Sequence, residues 1–109
     1  MDLREIRQLV RQGDYEFSVH AQQERLEDNL DITEIESALL GNAEILEEYP
    51  NDPRGESCLV LGFTESRPAH VVLGWAKRKL DGSKRLRIIT VYIPRLPKWA
   101  NPRTRGITI

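Results

Sequence analysis

Two histidines, a threonine and a tyrosine are the side chains in this 109-residue sequence best suited to moving a proton. His20 and His70 are the only histidines. Thr90 and Tyr92 fall in the stretch RLRIITVYIP, residues 85–94, which alternates like a strand. Arg85, Arg87, Ile89, Val91 and Ile93 point one way; Leu86, Ile88, Thr90 and Tyr92 point the other. Imidazole, phenol and guanidinium together can cleave RNA without a metal. One group takes the 2′-OH proton and another protonates the leaving oxygen. Arginine stabilises the charge of the phosphorane-like transition state. Arg25, Arg67, Arg87, Arg103 and Arg105 are available, and Arg67, just ahead of the His70 strand, is the preferred choice. Arg25 lies five residues after His20, about one and a half turns on, so the two need not share a face. The same residues also have plainer roles. His20 can bond to nearby backbone, and Tyr92 can donate to a carbonyl as half-buried tyrosines do.

These side chains need elements to hold them. Leu3, Ile6, Leu9 and Val10 have helical spacing, with Gly13 as a stop. Ser18 is an N-cap for a second helix, whose expected buried stripe is Val19, Leu26 and Leu30, with Asn29 near its end. His20 then sits in the first turn, where the helix dipole disfavours imidazolium and leaves a neutral proton acceptor. Thr33 and Glu36 have capping-box spacing for a third helix closed by Gly41. YEF, residues 15–17, reads as a brief extended link. From residue 43 the period changes to that of strands: AEILEEY, SCLVLGFT, AHVVLGWAK and RLRIITVYI, with Asp81-Gly82 as a hairpin turn. The expected fold is α+β: N-terminal helices on one face of a four-stranded antiparallel sheet, in one domain over residues 1–100. Residues 101–109 read as a basic C-terminal tail, partly mobile.

Alternation assigns Leu59, Leu61, Phe63, Val71, Leu73, Trp75, Ile89, Val91 and Ile93 to the helix-covered core. Cys58, Val60, Gly62, His70, Val72, Gly74, Ile88, Thr90 and Tyr92 then form an open face, flattened by glycines, able to accept a ligand or the chain's own tail. A bulge would exchange the faces. Trp99 can pack there or stack on a base, with packing favoured.

The net charge is −1, but it is unevenly spread. Residues 1–53 carry 4 Lys/Arg against 14 Asp/Glu, and residues 54–109 carry 12 against 3. Either the basic half meets a polyanion or the two halves neutralise each other. The lone Cys58 is expected to be a small buried hydrophobe, and it forms no internal disulfide. No apolar run approaches a membrane span and the N-terminus has no apolar signal core, so a cytoplasmic protein is expected. Two histidines and one cysteine, widely spaced, make no zinc motif, and no GxGxxG, P-loop or GxSxG occurs. No cofactor or metal is expected.

The ordered segments FSVHAQQERL, ITEIESAL, EILEEYPND, CLVLG, RPAHVV and IITVYIP followed by a tryptophan resemble a bacterial family, domain of unknown function 4258, over roughly residues 15–100. Its recurring pairs fall here on His20-Ala21, Tyr49-Pro50, His70-Val71-Val72 and Ile89-Thr90-Val91-Tyr92. The family's Arg-Gly before the isoleucine is missing: Asn29 and Leu30 lead into Asp31-Ile32. The resemblance implies helices ahead of a small antiparallel sheet, similar to the RelE and BrnT type of ribonuclease toxins within the barnase-like group. It favours His20, His70, Thr90 and Tyr92 as one set. RNA is then expected across the open face, with its phosphates on the basic half, and the acidic first half offers a place for an antitoxin-like protein to dock. The alternative is a non-catalytic module that docks a protein or a second copy of itself on Val60, Val72 and Ile88. A net charge of −1 counts against the toxin reading, since an RNA-cleaving chain of this size is more comfortably basic.

Overall fold

The computed structural model describes residues 1–106. Helix α1 (Leu3–Gln12) starts at Asp2, whose carboxylate accepts the Arg4 N–H. It stops at Gly13, where a left-handed φ of 74° sends the glycine N–H back to the Leu9 and Val10 carbonyls. Helix α2 (Val19–Glu27) starts at Ser18, whose hydroxyl accepts the Ala21 N–H. Helix α3 (Ile32–Leu40) starts earlier than Thr33 suggests. Asp31 and Glu34 form the capping box, so Thr33 and Glu36 lie inside the helix.

Five strands follow the order β1-β5-β4-β3-β2: β1 (Tyr15–Phe17), β2 (Glu44–Tyr49), β3 (Ser57–Phe63), β4 (Pro68–Trp75) and β5 (Leu86–Tyr92). Strands β2 to β5 form the expected antiparallel meander. The four-stranded expectation is corrected by YEF, which is not a link but a fifth strand, parallel to β5 with Tyr15 opposite Leu86. The helices cover one face, where Ile6, Val10, Ile35 and Leu39 pack on Cys58, Val60, Val71, Leu73 and Ile88.

The face assignment holds for β4 and fails for β3. Cys58, Val60 and Gly62 pair with Leu73, Val71 and Ala69 and share the helix side with them. Leu59 and Leu61 are buried on the opposite face. Residues 57–62 of β3 are all buried, so side-chain size was no guide to which face the helices cover. On β5 the register slips between Val72 and Leu73, where Thr90 pairs with Val72 but Ile88 with Leu73. This bulge at Ile89 returns Ile88 to the core and leaves Ile89 37% exposed on the far face with Thr90.

The basic C-terminal segment folds back instead of trailing away. Strands β6 (Trp99–Asn101) and β7 (Thr104–Arg105) make a hairpin laid over the far face. There Trp99 meets His70 and Arg103 lies over Phe63. Residues 107–109 of the expected tail lie outside the described residues. Among the described residues, no helix is long and apolar enough to cross a membrane.

Gly62 carries a direct test of the β3 correction. A methyl group added there would come 2.5 Å from the Ala38 carbonyl oxygen of α3. Gly62→Ala is therefore expected to destabilise the fold by about 1–3 kcal/mol, read as a lower urea midpoint with unchanged slope. A neutral outcome would put Gly62 on the side away from the helices.

Candidate functional site

Helix α2 lies along the outer edge of β5, and this placement builds the site. Strand β1 pairs only with Leu86, Arg87 and Ile88, so the rest of that edge needs other partners. Ser18 supplies the first: its N–H donates to the Ile88 carbonyl (2.9 Å) and its hydroxyl to the Ile89 carbonyl (2.7 Å). Glu24 Oε1 accepts the Val91 N–H at 3.1 Å and the Thr90 hydroxyl. Asp28 Oδ2 accepts the Ile93 N–H at 2.8 Å. With Ala21, these residues form the inward stripe of the helix. Val19 and Leu26, expected to be buried, are instead 75% and 64% exposed.

Between α2 and the C-terminal hairpin lies a cleft of about 800 Å³. His20, Glu24 and Thr90 line one side; Tyr92, Lys98, Trp99 and Arg105 complete it. His20 is exposed, with Nε2 3.2 Å from Glu24 Oε1, one helical turn on. The same carboxylate thus holds the Thr90 hydroxyl and orients an imidazole at the mouth of the cleft. Arg105 donates two hydrogen bonds to Glu47, at 2.7 and 3.1 Å, and lies 4.4 Å over the Trp99 ring. Among the described residues Lys98 has no carboxylate partner, which leaves its ammonium available to an anion in the cleft.

His70 is fully buried behind Tyr92 and does not line the cleft. Its Nε2 is 2.7 Å from the Pro102 carbonyl, which can only accept, so Nε2 carries the proton. Nδ1 of the neutral ring is then an acceptor, and the Tyr92 hydroxyl at 3.2 Å donates to it. The Trp99 indole N–H donates in turn to the Tyr92 oxygen at 3.2 Å. Burial lowers the His70 pKa from its ordinary 6.5, outweighing the Pro102 hydrogen bond that raises it. Burial likewise raises the Tyr92 pKa, which keeps the phenol protonated. His70 can therefore reach a ligand only through Tyr92.

The structure brings His20, Thr90 and Tyr92 together and sets His70 beneath them. Arg67 stands apart. Its guanidinium donates to the Asp28 and Asn29 carbonyls at 2.8 and 2.9 Å and meets Glu34 at 3.3 Å, tying down the end of α2. That end includes Asn29, in a left-handed conformation with φ of 53°. Glu24 and Lys98 were missed from sequence. Glu24 had a readable signal, since it follows His20 by four residues on a helix. Lys98 had none, because its place depends on the hairpin folding back. Cys58 is fully buried, and burial pushes its thiol up to about 11, as expected of an inert side chain.

A family model matches residues 17–93, a span that runs from the end of β1 through β5. The chain belongs to the family Domain of unknown function (DUF4258). Three of the cleft's residues on α2 and β5 that could do chemistry, His20, Thr90 and Tyr92, fall inside the DUF4258 span, as does Glu24. Lys98 and Arg105 lie beyond it. No curated protein and no solved structure matches the chain.

The buried ring predicts a pH dependence. A histidine whose folded pKa lies below its unfolded value binds fewer protons in the native state. Its stabilising effect is complete above about pH 6.5 and is lost as pH falls from there through the folded pKa. Urea unfolding at about pH 7.5 and about pH 5 should show a larger loss of stability in the wild type than in His70→Gln. Equal losses would mean that His70 is not held neutral.

Proposed function

We propose that this protein is a metal-independent ribonuclease of the toxin type, acting in the cytoplasm on RNA held in the cleft between α2 and the hairpin. The observation that carries this reading is the His20–Glu24 pair facing Lys98 and Tyr92 across one cleft. His20 takes the proton of the ribose 2′-OH, held in place by Glu24. The 2′ oxygen attacks phosphorus, the bond to the 5′ oxygen breaks, and the Lys98 ammonium gives that oxygen a proton. The products are a 2′,3′-cyclic phosphate and a free 5′-OH. Arg105, stacked on Trp99, adds positive charge near the phosphorane. Tyr92, whose proton goes to His70, offers the cleft an oxygen acceptor that orients a base through its N–H groups, and His70 is a positioning residue that fixes the phenol. Arg67 has no part in the reaction because its donors are taken up at the end of α2. Helices packed on one face of a small sheet support the RelE/barnase-like comparison, and fold alone does not carry the activity.

A second reading is a non-catalytic interaction module, and one observation favours it. Val19 and Leu26 are exposed seven residues apart on one side of α2, a pattern suited to self-association or an antitoxin-like protein. The docking face expected from sequence is not free for this, because Val60 and Ile88 lie in the core under the helices.

RNA cleavage in EDTA separates the two. Wild-type protein should release cyclic-phosphate ends, and His20→Ala should lower the rate by about 10²-fold or more. Lys98→Ala and Tyr92→Phe should each lower it while leaving the fold intact. Folded protein that cleaves none of a varied set of RNAs, or cleaves equally well without His20, would sink this proposal. A dimer on gel filtration that is lost in Leu26→Lys would then support the second reading.

A further inference from the structure

We propose that a second cleft on the same sheet face seats a nucleobase of the RNA strand, a reading that rests on the proposed cleavage site for its RNA context. This cleft has a volume of about 500 Å³ and lies at the other end of the far face from the hairpin. Its floor is aliphatic, made by Val72 and Ile89, and Tyr49 lines it as well, while the Trp75 indole is turned to the helix side. Around the edge stand the Arg87 guanidinium and the Asp52 carboxylate. Arg87 spends NH1 on Glu16 at 2.5 Å and retains further N–H groups. An apolar floor beside one aromatic ring, Tyr49, suits the face of a planar base. A donor and an acceptor at the edge suit the edge groups of a purine or pyrimidine. A bare phosphate is a poor fit, because Asp52 and Glu56 line the cleft beside Arg54 and Arg87, and the Arg54 guanidinium is already held by Asp52.

The β5 bulge connects the two clefts. Ile89 and Thr90 are consecutive, yet both stand on the far face, Ile89 in this cleft and Thr90 in the first. A base resting on Ile89 therefore belongs to a nucleotide next to the phosphate held beside Thr90. One residue's spacing in the strand becomes the spacing between the seat for a base and the seat for a phosphate.

The test uses uncharged nucleosides, which carry the base without a phosphate. Adenosine, guanosine, cytidine and uridine are titrated separately into labelled protein and followed by NMR. At least one should give saturable shifts at the Val72 and the Ile89 methyl groups. Ile89→Glu should weaken that binding by about tenfold or more. Arg87→Gln, which leaves the floor untouched, should weaken it as well and covers the case in which Ile89→Glu fails to fold. No shift at either reporter with any nucleoside overturns the inference. Nucleoside binding here in a protein that cleaves no RNA would retain the seat and remove the ribonuclease. RNA cleavage without nucleoside shifts would do the reverse.

Discussion

Strand β5 is only half covered along its outer edge, and the answer to that shortage organises the molecule. A three-residue strand serves its first part. Beyond Ile88 the edge has amide donors with no strand beside it, and a bare edge invites pairing with another chain. Helix α2 meets the need with side chains at one helical stripe: Ser18, Glu24 and Asp28. A helix held this way must lie beside the sheet, not across it. Its next residues, His20 among them, are then turned outward to the mouth of the cleft. The exposure of Val19 and Leu26 has the same origin, because the stripe they would have occupied is taken by polar groups bonding to backbone.

The uneven charge of the chain is largely resolved within it. Lys79 meets Asp14, Lys84 meets Glu5 and Arg87 meets Glu16; Arg95 meets Asp28, Arg103 meets Glu44 and Arg105 meets Glu47. Each such exposed pair contributes little to stability, about 0–1 kcal/mol. Their effect is to remove the broad basic surface that the second half suggested. Among the described residues of the second half Lys77, Arg78 and Lys98 meet no carboxylate, and of these Lys98 lines the first cleft. The bulge in β2 contributes here too. The slip between Ile45 and Glu47 puts Glu44 and Glu47 on the same side, where both arginines of the hairpin can reach them.

Much of this was readable from residues whose local chemistry has one solution. Ser18 before a helix, Gly13 after one, and Asp81-Gly82 between two strands act through nearby backbone, so their effects do not depend on the rest of the fold. Thr90 and Tyr92 were legible together because strand alternation placed them on one face, and His20 joined them only through the family resemblance. The failures share a different cause. Leu59 and Leu61 look like core residues and are buried, but under a hairpin instead of a helix. When both faces of a strand are covered, hydrophobicity no longer says which neighbour covers which face. The bulge at Ile89 likewise leaves no mark in the pattern, since isoleucine suits either side. Lys98 could be placed only once the return of the C-terminal segment was known.

That return also changes what His70 can do. In an open face it would be one more titratable group beside Tyr92. Under the hairpin it becomes the fixed end of a directed chain, from the Trp99 N–H to the Tyr92 oxygen, and from the Tyr92 hydroxyl to His70 Nδ1. The Pro102 carbonyl sets that direction by requiring the proton on Nε2. Tyr92 therefore turns its proton inward and offers the cleft an oxygen lone pair, while the imidazole that solvent can reach is His20. Two histidines that looked equivalent in sequence are separated by burial into one enclosed by the fold and one exposed at the mouth of the cleft. The division follows from a single backbone carbonyl, supplied by a segment that lies outside the 17–93 span characteristic of the family.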